Sequence, residues 1–181
     1  MAVLFFDPTK TFGELSNYHP SNFDLDGQLW TCGEAYYQAR KFIGTTTDGD
    51  EYARLISLCD SPHKAKILGG QRASPKAEKW LINKKMPNLG HVNDVVRQYA
   101  TSVKPRADWD QVKDSVMSRM LYAKFSQSEK HRKVLLATGD RWICENSPYD
   151  EYWGSGSTGA GRNRLGVLLV ATRETIKSEI L

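Results

Sequence analysis

The sequence predicts a mainly α fold, α+β with a few short strands, in a single domain over residues 1–181. Three observations carry this. Apolar residues recur at helical spacing through the longest patterned stretch, residues 108–126. Capping residues, prolines and glycines cut much of the remaining chain into helix-length pieces. Strand signals are confined to short runs near both ends.

In order, Val3–Phe6 reads as a buried strand stopped by Asp7-Pro8. Asn22–Leu25 and Gln28–Trp30 flank Asp26-Gly27, a two-residue turn signal, and so form a hairpin. Gly33–Ile43 shifts to a helical period, and Asp48-Gly49-Asp50 leads into a helix over Glu51–Leu58. Asp60 or Ser61 caps the next, with Pro62 in its first turn and Gly69-Gly70 at its end. Helices follow over Pro75–Lys84 and His91–Thr101. Asp108–Ser126 presents Val112, Val116, Met117, Met120, Leu121 and Phe125 on a broad apolar face. Ser128–Ala137 is a further helix closed by Gly139, Arg141–Glu145 a strand, and Leu165–Glu179 the closing helix. No internal repeat occurs.

Composition excludes several classes. With 40% hydrophobic and 25% charged residues the chain is neither disordered nor fibrous. No apolar run approaches the ~20 residues of a membrane helix, and the N-terminus lacks the basic start of a signal peptide. The three cysteines, Cys32, Cys59 and Cys144, have no zinc spacing and read as core thiols. The four histidines read as isolated, and Trp30, Trp80, Trp109 and Trp142 as packing residues. The expectation is a soluble, intracellular protein of cytoplasm or nucleus, with no membrane, no metal and no cofactor. Charge is uneven. Residues 61–106 carry ten Lys/Arg against two Asp/Glu, net +8, whereas residues 1–60 are net −5. Such a block either neutralises phosphates or forms a solvated helical surface.

Two stretches carry groups suited to chemistry. In the helix at 33–43, Ala35, Tyr36, Ala39, Phe42 and Ile43 share one face and Glu34, Tyr37, Gln38 and Lys41 the other. Glu34 and Lys41 lie two turns apart, with Gln38 between them leaving room for a ligand. Without a ligand this is an ordinary amphipathic helix. The second stretch, residues 145–166, satisfies G-x-G-x-x-G at Gly154, Gly156 and Gly159. Too little chain follows for a dinucleotide-binding unit, and no Lys-Ser/Thr follows for a P-loop. What survives is a glycine-lined backbone with Arg162, Arg164, Asp150 and Trp153 beside it: an anion nest with a carboxylate and a stacking face, or a surface loop with turn glycines.

Read in order, Gly13-Glu14-Leu15-Ser16-Asn17-Tyr18-His19-Pro20, Glu34-Ala35-Tyr36-Tyr37-Gln38-Ala39-Arg40-Lys41-Phe42, Ala123-Lys124-Phe125, Glu145-Asn146-Ser147-Pro148, Asp150-Glu151-Tyr152-Trp153-Gly154 and Gly161-Arg162-Asn163-Arg164-Leu165-Gly166 form an ordered set. That set resembles the NADAR, or YbiA-like, family. Two departures stand out: Ala35 where the family usually has His, and Cys32 where it usually has Thr.

The resemblance implies a single-domain YbiA-like fold and cleavage of N-glycosidic bonds. Some members act on ribosylated pyrimidines of riboflavin synthesis; others remove ADP-ribose from guanine bases of nucleic acid. The basic middle and the lack of a riboflavin enzyme within these 181 residues favour ADP-ribosylated guanine in DNA or RNA. Lys41, Glu34 and Asp150 are then the expected catalytic groups, with Lys41 either a fixed cation or the amine of a transient imine. Asn17, Tyr18, Gln38, Glu145, Trp153, Gly154, Gly161, Arg162 and Asn163 are the expected substrate-binding set. A non-catalytic ADP-ribose or nucleic-acid reader is the rival outside enzymes.

Overall fold

A computed structural model describes residues 1–70, 99 and 102–180. The sequence-predicted helix at 75–84 lies outside these residues, as does that at 91–101 apart from residue 99. So do Trp80, His91 and six cations of the basic block, from Arg72 to Arg97.

Four strands and six helices are described: β1 (Val3–Phe5), β2 (Pro20–Leu25), β3 (Gln28–Cys32), α1 (Gly33–Ala39), α2 (Thr47–Ser57), α3 (Pro62–Gly70), α4 (Trp109–Gln127), α5 (Glu129–Leu136), β4 (Ile143–Glu145) and α6 (Arg164–Ile180). A 3₁₀ turn at Gly13–Leu15 precedes β2. They group into two compact units, residues 1–33 with 113–181, and residues 34–112.

In the first unit β1 pairs in parallel with β4, aligning Val3 with Ile143 and Phe5 with Glu145. Val3, Phe5 and Ile143 point inward and are buried. Alternation turns Trp142, expected to pack, outward at 52% exposure. β2 and β3 form the expected hairpin around Asp26-Gly27, where φ values of 55° and 76° match a type I′ turn. Phe23 and Trp30 face each other across it and both are buried. The strands thus make two separate pairs, because β1 finds its partner some 140 residues away. α4 buries Val116, Met117, Met120, Leu121 and Phe125, as its periodicity predicts. α6 buries Leu165, Leu169, Thr172, Arg173 and Ile176, and lies so close to β4 that a Cβ on Gly166 would sit 2.1 Å from the Ile143 carbonyl oxygen. Two histidines read as isolated are paired: His131 Nε2 lies 3.1 Å from His19 Nδ1. Burial, then Lys124, lowers the His131 pKa to about 4.

In the second unit α2 starts four residues before its expected first residue. Thr46 caps it, its hydroxyl accepting from Gly49 N at 3.0 Å, and Asp48 and Asp50 suit the positive end of the helix. Tyr52 stacks edge-on against Phe42 at 4.9 Å and donates its hydroxyl to the Leu68 carbonyl, tying α2 to α3. Cys32 and Cys59 are buried and Cys144 half-buried. Among the described residues, no helix is long and apolar enough to cross a membrane, and no cluster of three or more His, Cys, Asp or Glu is arranged to hold a metal ion.

Candidate functional site

The helix expected over 33–43 is regular only to Ala39. The chain then tightens, with Lys41 N donating to the Gln38 carbonyl and Phe42 N to Ala39. Lys41 therefore leaves the helix on a turn, its own carbonyl accepting from Arg106 N at 2.7 Å.

Glu34 and Gln38 lie on the face read as polar, yet they are 6% and 4% exposed. Gln38 leaves no gap between Glu34 and Lys41; it joins them. Gln38 Nε2 donates to Glu34 Oε1 at 2.8 Å, and Lys41 Nζ donates to Gln38 Oε1 at 2.6 Å. The i,i+4 and i,i+3 spacings make this relay a consequence of about two helical turns. A second acceptor comes from α3, where the Gly69 carbonyl takes Lys41 Nζ at 2.9 Å. Gly69 was read as a helix stop. In the fold it makes room: a Cβ there would stand 2.4 Å from Gln38 Oε1. The ammonium also faces two rings, 5.5 Å from the centroid of Tyr37 and 5.7 Å from that of Trp109, which stack 5.1 Å apart. The sequence reads Trp109 as a packing residue, and nothing in local spacing marks it as Lys41's neighbour.

Burial lowers the Lys41 pKa from 10.5 to about 8; the nearby Glu34 carboxylate works against the shift and Lys66 reinforces it. At pH 7 about one Lys41 in ten is then an uncharged amine, a few hundred times the fraction for a free lysine. An uncharged amine has two N–H groups and one lone pair. Gln38 Oε1 and Gly69 O accept the two N–H groups, so the lone pair remains for an electrophile.

In the first unit the glycine-rich stretch is folded on itself. Ser155 N donates to the Glu145 carbonyl, Gly156 N to Asp150, Gly161 N to Ser155, Arg162 N to Glu151, Asn163 N to Gly154 and Arg164 N to Tyr152. Those amides close the loop instead of forming an open nest. Gly154 and Gly161 permit that closure: a Cβ on Gly161 would meet the Gly154 carbonyl oxygen at 2.5 Å. Asn163, at φ 46°, clamps β4, accepting from Glu145 N at 2.9 Å and donating to the Ile143 carbonyl at 2.8 Å. Both ends of an amide expected at a sugar or base edge therefore hold a strand.

Asp150 Oδ1 accepts from the backbone N–H groups of Tyr152 and Trp153, at 2.9 and 2.7 Å, and so shapes the turn that carries the Trp153 indole. The two arginines separate. Arg164 makes two bonds to Asp114 Oδ2, which ties down the start of α6, while Arg162 lies over the Tyr152 ring at 5.5 Å and lines a groove of about 340 Å³ with Gly161 and Thr158. Asn17 is buried, with Nδ2 on Met117 Sδ at 3.3 Å and Oδ1 without a partner among the described residues. Tyr18 is half-buried, its backbone N–H donating to Ser16 Oγ. Lys124 is wholly buried and donates to the Ser16 carbonyl, fixing the base of this loop from α4.

A model of the NADAR domain family matches residues 4–177. The chain belongs to the NADAR family. The N-glycosidase YbiA of Escherichia coli (strain K12) is 31% identical over 177 residues, covering 98% of this chain and 89% of the relative. The N-glycosidase Npun_R5314 of Nostoc punctiforme is 33% identical over 178 residues, covering 98% and 94%. The chloroplastic riboflavin biosynthesis protein PYRR of Zea mays is 30% identical over 96% of this NADAR chain but only 25% of its own length. The NMR structure of E. coli YbiA superposes with a TM-score of 0.73 at 30% identity, covering 99% of this chain and 86% of that one. With full-length N-glycosidase relatives at this identity, the NADAR chain is an enzyme, an N-glycosidase.

Proposed function

We propose that this enzyme removes ADP-ribose from guanine bases of nucleic acid, with Lys41 as its nucleophile. One observation carries the reading: a lysine amine pinned by Gln38 Oε1 and Gly69 O and facing two aromatic rings, with its pKa lowered to about 8. That arrangement favours the imine route over a fixed cation, since a cation is served best by an undiminished pKa.

The Lys41 amine attacks the anomeric carbon of the ribose as the bond from that carbon to the guanine nitrogen breaks. The proton lost by the amine passes to the departing guanine, with Glu34 as the acid–base group. The ribosyl-lysine opens to an imine as the bond from the anomeric carbon to the ring oxygen breaks, that oxygen taking up the remaining proton of the lysine nitrogen. Water then adds to the anomeric carbon, the carbon–lysine bond breaks, and ADP-ribose leaves with Lys41 regenerated. Gln38 orients both Lys41 and Glu34. Asp150 is the second proposed carboxylate. Trp153 is assigned to base stacking, Arg162 to the pyrophosphate, and Asn17, Tyr18 and Glu145 to sugar and base edges.

The test is incubation with a guanine-ADP-ribosylated oligonucleotide and mass spectrometry of the products, with borohydride added during turnover. Release of intact ADP-ribose and unmodified guanine, with a reduced adduct on the peptide holding Lys41, is expected. Turnover without an adduct removes the imine; no release removes the substrate assignment.

A second reading has its own support, since relatives of this chain include riboflavin biosynthesis proteins from Zea mays and Vibrio vulnificus. The same amine would then act on a phosphorylated ribosylaminopyrimidine. Side-by-side turnover of the two substrates decides between them.

A further inference from the structure

Lys104 and Arg106, two cations of the basic block, line a cleft within the second unit. Its volume is about 850 Å³, and Arg40, Lys104, Arg106 and Asp108 are the charged residues around it. Arg106 is held by Asp108, with Nε on Oδ1 at 2.6 Å and Nη2 on Oδ2 at 2.9 Å, so positive charge exceeds negative by two. Thr45 and Thr46 add hydroxyls, and Thr46 caps α2, so the positive end of that helix opens at the cleft. The first-turn acids Asp48 and Asp50 are not part of its lining, and Asp50 Oδ1 is taken by Gly44 N. The cleft backs onto the reactive turn: its wall residues Arg40 and Arg106 are respectively the chain neighbour of Lys41 and the donor to its carbonyl.

We infer that this cleft binds the phosphodiester backbone of a single-stranded nucleic acid, holding the strand whose modified base the enzyme treats. The inference rests on the nucleic-acid reading above. Cations without an aromatic stacking face recognise backbone and not base, so binding is sequence-tolerant and falls with salt. An ADP-ribosylated mononucleoside carries only its own pyrophosphate, assigned above to Arg162, and lacks the flanking phosphodiesters that the cleft would hold.

The experiment uses fluorescence anisotropy with an unmodified, labelled single-stranded oligonucleotide of about twelve nucleotides, across a salt series. Wild type is compared with Lys104→Glu, with Lys104→Glu/Arg106→Glu, and with Lys133→Glu, a charge reversal on α5. The double variant should bind at least roughly tenfold more weakly, with its log–log salt slope reduced by about one to two, while Lys133→Glu binds as wild type does. Turnover of ADP-ribosylated guanosine as a free mononucleoside should be the same in wild type, Lys104→Glu and Lys133→Glu. No wild-type binding at low salt, unchanged binding in the double variant, or an equal loss in Lys133→Glu overturns the cleft. So does an equal loss of affinity for AMP, which marks a small-anion site. If wild type fails on the mononucleoside, the substrate reading falls, and the anisotropy result still decides the cleft.

Discussion

Two of the described lysines, Lys41 and Lys124, have pKa values lowered for one physical reason, burial, and different surroundings give them different capacities. Lys124 has 0% exposure and its pKa falls to about 7, yet its amine is sealed against the Ser16 carbonyl. Lys41 keeps part of its surface and faces two aromatic rings. Lys41→Ala should therefore lower kcat by roughly three orders of magnitude or more while the protein still folds cooperatively in urea. Lys41→Arg should be equally inactive, because a guanidinium stays protonated and cannot form the imine. The ammonium form cannot attack, so kcat in wild type should climb about tenfold per pH unit below pH 8 and level off above it. A flat profile from pH 6 to 9 contradicts the amine's role. Asp150 is separable by its two neighbours in chemistry. Asn retains the oxygen that accepts from Tyr152 and Trp153, while Ala removes it. If the charge serves the reaction, Asp150→Asn folds normally but is inactive, whereas Asp150→Ala also loses about 1 kcal/mol of stability. An active Asp150→Asn reduces this carboxylate to a turn former.

At the scale of elements, glycines decide positions for two distinct reasons. Gly27 sits in the hairpin turn at φ 76° with open space around its missing Cβ. Gly27→Ala should cost about 1 kcal/mol in urea denaturation and leave kcat unaltered. Gly69 has no such backbone demand, but its neighbour does: a Cβ would overlap Gln38. Gly69→Ala should destabilise by about 1–3 kcal/mol and, by displacing Gln38 and the Lys41 acceptor, cut kcat as well. Equal activity in the two variants would show that α3 does not orient Lys41.

At the scale of the molecule, the lowered lysines set a pH dependence of stability. Lys124 from about pH 7, and Lys41 from about pH 8, bind fewer protons folded than unfolded up to the ordinary lysine value of 10.5, so stability rises with pH there. In the upper part of that window Cys144 and Tyr52, whose pKa values burial raises, work against the rise. The urea midpoint should increase from pH 7 to 9 in wild type and rise less steeply in Lys124→Met, where only Lys41 remains; an unchanged slope in the variant rules out Lys124 as a source.

Much of this was legible without coordinates. Periodicity located α4, α6 and the hairpin within a few residues, because those patterns depend on neighbours close in sequence. Composition and the order of short motifs reached the NADAR family, and helical spacing put Glu34, Gln38 and Lys41 on one face. Tertiary packing alone decided the rest: that β1 pairs with β4, that Gly69 and Trp109 reach Lys41, that Asn163 clamps a strand, and that the glycine stretch closes on its own amides. Each of those depends on a partner beyond the reach of helix or strand periodicity, and for β1, Gly69 and Trp109 that partner is tens of residues away. Burial, which lowers the Lys41 pKa to about 8, belongs to the assembled environment and to no residue by itself.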